Sequence, residues 1–384
     1  MEIIKKRIGI VGGGQLGKMM ILEAKRLGFY VAVLDPTADC PAHSICDLHI
    51  VADFDDPKGY KELSNHADVI TYEFEHINAD ALEKLEKEGH LIYPSVTALK
   101  TIQNKNSQKI ALNCSNIPVP RFALTASTDD IRECGKPENF GYPMMLKTTT
   151  GGYDGKGNAL IKTENEIENA FSRLGSGAKE LMVEEYIDFS REISIIACRG
   201  IDGEKVVYPV AENTHKNSIL DVTVVPADID NNVSIIAADI ANKVMSVFEG
   251  VGTFCIEMFV TKSDKIYVNE VAPRPHNSGH YTIEGCFANQ FENHIRAIVG
   301  LPFGCTDLRT PTVMVNLIGE SDGAAKLIGL EEAYHDPTVH IHIYGKSESK
   351  VGRKMGHYTV VGDSAKNAVF RAKNLKNEIR VIGE

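Results

Sequence analysis

Two glutamates, Glu257 and Glu270, stand in the stretch TFCIEMFVTKSDKIYVNEVAP, which reads as a β-hairpin turning at Ser263-Asp264. With a two-residue turn, cross-strand partners have numbers of constant sum, and Glu257 falls opposite Glu270. Like charges so placed destabilise a sheet unless something neutralises them, and an unpaired charge in an apolar strand is costly. A divalent cation with oxygen ligands resolves the conflict, and Mg²⁺ shared with substrate phosphates is the usual choice, with Mn²⁺ as a substitute. One shared proton, or an Arg between the two, is the alternative. Directly after the hairpin, EVAPRPHNSGH crowds Arg274, His276, Asn277, Ser278 and His280 into a loop that Pro273 and Pro275 hold extended. An arginine there suits an anion being activated or transferred. His276 and His280 make a weak zinc pair, with no third ligand evident and no helical spacing.

Two glycine loops offer phosphate chemistry. GIVGGGQLGKMM places Gly12, Gly14 and Gly17 between a strand and a helix, with Asp35 ending the next strand. This has the form of a dinucleotide fingerprint. The same glycines could simply permit a tight turn, or the helix N-terminus could hold one phosphate of a smaller substrate. MLKTTTGGYDGKGN sets Lys147 on a strand before a loop with Gly151, Gly152, Gly155 and Gly157. Lys156 is followed by Gly157 and strand-like residues, so this is no Walker A loop. A glycine loop between strands can fold over a nucleotide's phosphates with its amides as donors. Further on, VEEYI offers edge backbone groups to an adenine, and Glu184 or Glu192 could take ribose hydroxyls.

The elements that must position these groups are of two kinds. From Arg7 to about Tyr93, short β-branched runs (RIGIV, YVAVL, LHIV, DVITY, HLIY) alternate with helical stretches, which predicts a doubly wound parallel sheet. A single helical stretch, SVTALKTIQNKNSQKIALNC, leads out of it, and NIPVPRF marks a boundary. Longer alternating strands follow, as in REISIIACRG, KVVYPVAENTH and ILDVTVVPA, then the helix NNVSIIAADIANKVMSVFEG ending at a Gly. A last segment after Leu301-Pro302 mixes strands with a closing helix near SAKNAVFRAKNLKNE.

The chain has 384 residues, 43% hydrophobic and 24% charged, enough for two or three domains with large cores. A formal net charge of -11 argues against a general nucleic-acid or anionic-membrane surface, so an anionic ligand must meet locally placed Lys and Arg. Eight scattered cysteines without a CxxC pair read as reduced core thiols. No signal-peptide pattern or membrane-spanning run is evident, and the cytoplasm is the default expectation.

Lys105, Lys147 with TTGGYDGKG, VEEYI, Glu257 and NEVAPRPHNSGH, following a doubly wound domain, together resemble the ATP-grasp superfamily of carboxylate-amine ligases. GGGQLG, TYEFEH, TGGYDGKG and APRPHNSGH make the chain similar, over nearly its whole length, to the N5-carboxyaminoimidazole ribonucleotide synthetase family of bacterial purine synthesis. The resemblance implies an α/β and α+β chain: a doubly wound N-terminal domain (1–105), an ATP-grasp module (106–300) and a small C-terminal α+β, β-rich domain (301–384). It implies that the first glycine turn binds no NAD but helps to hold aminoimidazole ribonucleotide. ATP would lie near Lys105 and Lys147 under the loop Gly152, Tyr153, Asp154, Gly155, Lys156, Gly157 and Asn158. Glu184, Glu185, Tyr186 and Ile187 would line the adenine, Glu192 would take the ribose, and His215, Asn269 and Glu270 would complete the pocket. Glu257 and Glu270 would bind Mg²⁺.

In the implied reaction bicarbonate attacks the γ-phosphate, and the exocyclic amine of the ribonucleotide is then carboxylated. Arg274 would hold bicarbonate in bidentate fashion, and Tyr153 and Asp154 would contact the amine or the new carboxylate, with Asp154 as general base. Gln15, Leu16, Glu73, His276, Asn277, Lys346 and Arg353 would bind the ribonucleotide, and the family suggests a homodimer. Ala272 departs from the many ATP-grasp enzymes that carry Asn two residues after the second metal glutamate. Three rivals predict different behaviour: a formyl transferase or other acid-amine ligase on another purine ribonucleotide, an NAD-dependent oxidoreductase, and an ATP-binding regulator without turnover.

Overall fold

The computed structural model describes residues 5–152, 157–175 and 177–384. The β-branched runs near the start form a five-stranded parallel sheet in the order Leu48–Ile50, Tyr30–Leu34, Arg7–Val11, Val69–Tyr72, Leu91–Ile92. Both faces are covered, which is why these strands are continuous apolar runs rather than alternating ones. Helices Pro57–Asn65 and Ala79–Lys87 begin where Asp56 and Asn78 accept hydrogen bonds from the amides of Lys58 and Ala81. They bury Tyr60, Leu63 and Leu82 against Val11, Leu34 and Tyr72. The opposite face packs helix Gln15–Arg26, and beside it Phe291, Ile295 and Ile298 of helix Gln290–Val299, far along the chain.

The expected single helix out of this domain is two, Val96–Gln103 and Lys105–Cys114. Asn104 between them is extended, and its side chain accepts from the amide of Ser107 to cap the second helix. The capping residue stops one helix and starts the next, so Lys105 sits at a helix N-terminus instead of mid-helix. A four-stranded antiparallel sheet follows in the order Phe122–Thr125, Leu181–Glu185, Met144–Thr148, Asn158–Ile161.

The largest sheet has nine strands, all antiparallel. Ile266–Ala272, Gly252–Thr261, Phe189–Arg199, Ala211–Lys216 and Ile219–Val225 continue directly into Thr312–Ile318, Lys354–Val361 and Val339–Ile343, and Lys205–Val207 pairs off the third. KVVYPVAENTH is therefore two strands with a break at Tyr208–Val210. Helix Asn231–Phe248 covers one face, burying Ala237, Val244 and Met245 against Ile195, Phe254 and Ile256. It ends not on a glycine but on Glu249, in the left-handed conformation at φ 50°. A smaller sheet, Glu348–Ser349, Gly323–Ile328 and Arg380–Gly383, and helix Ala365–Leu375 complete the chain. No helix among the described residues is long and apolar enough to cross a membrane. All eight cysteines are free, but they are not uniformly core thiols: Cys114 and Cys305 are exposed.

His294 ties the parallel sheet to the large one. Its Nε2 lies 2.8 Å from Thr71 Oγ1, and its Nδ1 accepts from the amide of Thr253 at 3.1 Å. Burial pulls its pKa down to about 3, so it stays neutral where an ordinary histidine charges. A depressed histidine pKa contributes stability that is whole above about pH 6.5 and is lost as pH falls towards the folded value. Denaturant midpoints measured between pH 7 and pH 5 should show His294→Gln shallowing the acid-side slope by up to about 1.4 kcal/mol per pH unit. An unchanged slope would mean the imidazole charges without cost.

Candidate active site

The first glycine turn lies at the switch point of the parallel sheet, between Val11 and the end of Val69–Tyr72. Its amides are already occupied by the protein. Gly14 N donates to Glu73 Oε1 and Gly17 N to Glu73 Oε2, each at 2.7 Å, and Gly13 N donates to Asp35 Oδ2 at 2.8 Å. A Cβ on Gly12 (φ +102°) would meet Glu73 Cγ at 2.3 Å, so glycine there admits the carboxylate. Burial pushes Glu73 up, and the two amides offset part of that shift. Glu73 thus fills the place a dinucleotide's pyrophosphate would need, and Asp35, which also accepts from Thr37 N, is not free for a ribose. The expected substrate contact by this turn is left to Gln15 and Leu16, which face a cleft.

That cleft, of about 920 Å³, runs between the parallel sheet, the four-stranded sheet and the nine-stranded sheet. Of the residues predicted from sequence it brings together Gln15, Leu16, Glu73, Lys105, Lys147, Gly152, Asn158, Glu184, Glu185, Tyr186, Ile187, Glu192, His215, Glu257, Asn269, Glu270, Arg274, His276 and Asn277. Tyr153, Asp154, Gly155 and Lys156 lie outside the described residues. Gly157 closes the neighbouring strand pair through its carbonyl, which accepts from Thr148 N. The side chains of Lys346 and Arg353 donate to the carbonyls of Lys354 and Glu348, and the Lys346 charge acts on Glu73, favouring its carboxylate. Lys354, at the start of its strand, lines the cleft.

Glu257 does face Glu270, but not through a two-residue turn. Thr261 N donates to Lys265 O, and Asp264 takes a left-handed φ of 59°, so the turn spans three residues. This would shift the whole register by one. A β-bulge between Glu257 and Met258, where Met258 pairs with Val268, leaves Asn269 as the extra residue and restores the glutamates to one another. Burial first, then Glu270, raises Glu257 to about 7. Lys105 reaches Glu270 in an ion pair. Two carboxylates at the lip of a cleft, one of them left by its surroundings short of positive charge, fit a hard divalent cation.

At the other wall Lys147 Nζ lies 2.5 Å from Glu184 Oε2, and Lys109 Nζ lies 3.1 Å from Oε1. Burial raises the Glu184 pKa, but the two ammonium groups outweigh it and hold the carboxylate at about 2. Burial takes Lys109 down to about 8. Leu181–Glu185 is not an edge: Phe122–Thr125 and Met144–Thr148 flank it, and Glu185 N donates to Arg121 O. Only the backbone beyond it, at Tyr186 and Ile187, is past the ladder. Met145, Ile187, Met258 and Phe259 make this end apolar, suited to a planar ring. Glu192 meets His215 in an ion pair; burial lowers that histidine's pKa, but Glu192 outweighs it and the net shift is upward.

Arg274 and Glu75 form a fork, Nε to Oε2 at 2.5 Å and Nη2 to Oε1 at 3.1 Å, while Nη1 donates to Pro275 O. Burial would raise Glu75, but Arg274 holds it at about 2. Glu75 was missed from sequence, although it stands two residues after Glu73 in TYEFEH. His276 accepts from Ser278 N at Nδ1, and Asn277 exchanges amide hydrogen bonds with Asn316. His280 is buried beside Gln290 and His357 and forms no pair with His276.

Three family models match in series: the ribonucleotide synthetase preATP-grasp domain over residues 5–103, the ATP-grasp domain over 110–291, and the phosphoribosylaminoimidazole carboxylase C-terminal domain over 312–370. The chain is 42% identical over 356 residues to the N5-carboxyaminoimidazole ribonucleotide synthase of Bacillus subtilis, covering 92% of this chain and 90% of that one. It belongs to the N5-carboxyaminoimidazole ribonucleotide synthase family. Among solved structures, the synthetase from Thermotoga maritima superposes with a TM-score of 0.90 at 45% identity, covering 99% and 100% of the two chains. The Aspergillus clavatus synthase, in complex with ADP and 5-aminoimidazole ribonucleotide, does so with 0.90 at 34% identity, covering 98% of each. The family's ATP-grasp fold accounts for the two antiparallel sheets that wall the cleft.

The raised Glu257 pKa has a consequence with a defined sign. Without metal, Glu257 favours its protonated form, so its contribution to stability is whole below about pH 4.5 and is lost as pH rises through about 7. A bound cation needs the carboxylate and reverses this. Added Mg²⁺ should raise the thermal midpoint more at pH 8 than at pH 6, and Glu257→Gln should remove the difference. Equal Mg²⁺ effects at both pH values in the parent protein would overturn the assignment.

Proposed function

We propose that this chain carries out the ATP- and bicarbonate-dependent carboxylation of 5-aminoimidazole ribonucleotide to N5-carboxyaminoimidazole ribonucleotide, a step of de novo purine synthesis. The observation that carries the reading is a single cleft with two chemically different ends. One end holds Lys147, Lys105 and the facing Glu257 and Glu270; the other holds the Glu73-filled glycine turn with Gln15 and Leu16; Arg274 and His276 lie on its lining too. The Bacillus subtilis relative bears the name of this activity, and the Aspergillus clavatus structure contains ADP and the ribonucleotide.

Lys147 is held by Glu184 and supplies fixed positive charge to the polyphosphate. Glu257 and Glu270 would hold Mg²⁺, which when bound offsets phosphate charge; Lys105 then exchanges its pairing with Glu270 for the nucleotide. A bicarbonate oxygen attacks the γ-phosphorus and the bond to ADP breaks, giving carboxyphosphate. The remaining N–H groups of Arg274 and the His276 ring bind this anion, with Glu75 fixing the guanidinium plane. The exocyclic amine of the ribonucleotide then takes the carboxyl group as inorganic phosphate leaves, and its proton passes to a base, Asp154 on the glycine loop. We assign the substrate phosphate to Lys346, whose charge favours the Glu73 carboxylate, and to Arg353, with Lys354, Gln15 and Leu16 on the adjoining lining.

ADP release measured with Mg-ATP and bicarbonate should require aminoimidazole ribonucleotide and fall at least about 100-fold in Glu270→Gln. No ATP hydrolysis under any of these conditions, together with a thermal midpoint raised by NAD, would overturn the reading. Turnover with a formyl donor and another purine ribonucleotide in place of bicarbonate and this acceptor would support the rival ligase. Glu75→Ala should raise the KM for bicarbonate about 10-fold and leave that for ATP unchanged, because Arg274 loses the partner that orients it. A rise confined to ATP would assign Arg274 elsewhere.

A further inference from the structure

We propose that Cys255, Glu257 and His276 form a binding site for a thiophilic divalent cation of the zinc type, which shares Glu257 with the hard-cation pair Glu257 and Glu270. One ligand atom from each of the three lies within 4.8 Å of the others. Cys255 and Glu257 are two apart on the strand Gly252–Thr261, so their side chains leave the same face of the sheet. His276 comes over them from the loop that follows the hairpin, with Nε2 at 3.7 Å from Glu257 Oε1. With Zn–S near 2.3 Å and Zn–N or Zn–O near 2.0 Å, neighbouring donors in a tetrahedral site lie ~3.3–3.7 Å apart. The histidine-glutamate edge is within about 0.4 Å of the required length, and a side-chain adjustment of about 1 Å brings in the thiol. Thiolate, imidazole and one carboxylate, with a fourth position open to the cleft, suit zinc or cobalt and not magnesium.

Ser278 supplies the supporting contacts. In the metal-free protein its amide donates to His276 Nδ1 at 3.3 Å, so the neutral ring carries its proton on Nε2. To bind a metal through Nε2, the ring carries its proton on Nδ1, gives up the 3.3 Å bond from Ser278 N and donates instead to Ser278 Oγ, 2.9 Å away. The same hydroxyl lies 3.6 Å from Cys255 Sγ and can donate to the thiolate. The thiol proton goes to solvent as the sulfur-metal bond forms, and no electron is transferred. Ser278 Oγ is in turn held by Ser194, which accepts from Asn213, which accepts from Thr223. Such outer contacts orient metal ligands and raise affinity. Burial keeps the thiol protonated and the imidazole neutral in the absence of metal.

Occupation of this site takes Glu257 away from Glu270 and His276 away from the activated anion. Zinc should therefore inhibit the reaction of the preceding subsection, and this consequence, unlike the binding itself, rests on that reading. The test uses the full chain. Co²⁺ added without nucleotide should give a thiolate-to-cobalt charge-transfer absorption in the near ultraviolet at one equivalent, lost in Cys255→Ala and in Cys255→Ser. ADP release without zinc, retained by these variants, shows that they fold. Absence of the band, or its persistence unchanged in both variants, would overturn the site. In the assay with Mg-ATP, Zn²⁺ should inhibit the parent at least about 100-fold more tightly than Cys255→Ala. A Cys255-dependent band without zinc inhibition would leave the metal site standing and remove Glu257 and His276 from the proposed reaction.

Discussion

Two carboxylates face each other across one rung of a β-ladder, and the charges of the cleft are arranged around that conflict. Like charges in that position oppose the pairing of their strands, yet Gly252–Thr261 and Ile266–Ala272 lie at the end of the nine-stranded sheet and are held from behind by helix Asn231–Phe248. Packing on the far face sustains a site that its own electrostatics would separate. Lys105 meets Glu270, while Glu257 keeps a pKa of about 7. The imbalance is local: every other buried carboxylate in the cleft has a cation or amides of its own, as with Glu184 between Lys109 and Lys147, Glu75 on Arg274, and Glu73 on two amides.

The same pairs join the domains. Glu75 follows the last residues of the parallel sheet's fourth strand, whereas Arg274 follows the last residues of the large sheet's outermost strand. Their fork crosses the cleft at one end, and helix Gln290–Val299 packs the two bodies together at its back, with His294 bonded to both. A carboxylate and guanidinium so buried contribute orientation more than net stability. Glu73 acts within the first domain in a similar way. By taking the glycine amides it converts a dinucleotide fingerprint into a rigid turn, and the adjoining residues, Gln15 and Leu16, are what the cleft receives.

Several elements were legible because they depend on local chemistry. The parallel strands from Arg7 to Ile92 follow from β-branched runs between helical stretches, and the glutamate pair was found by counting residues from a turn. That count reached the right pair through a wrong turn: the extra residue at the turn and the bulge at Asn269 cancel. The helix break at Asn104 was missed because asparagine mid-helix and asparagine at a cap look alike until its side chain finds Ser107 N. Lys354, on the cleft lining, went unnamed because a run of basic residues does not reveal which one the strand turns inward. The strand Leu181–Glu185 was taken for an edge because a strand carries no local mark of how many neighbours it has.

The sequence by itself determined the element types, the doubly wound start, the family, and most, not all, of the polar residues that meet in the cleft; Glu75, Arg191, Glu212, Asn213 and Lys354 went unnamed. The elements and the glutamate pair follow from side-chain periodicity and turn chemistry, and the family and the other site residues from motif resemblance; all are properties of short segments. Only the tertiary structure decided which partner each charge takes: Glu73 for the glycine amides, Glu75 for Arg274, Glu184 for two lysines, and Cys255 beside Glu257 and His276. The physical reason is that a buried charge or polar group must be satisfied by whatever the fold brings within about 3 Å, and those neighbours come from segments tens to hundreds of residues away.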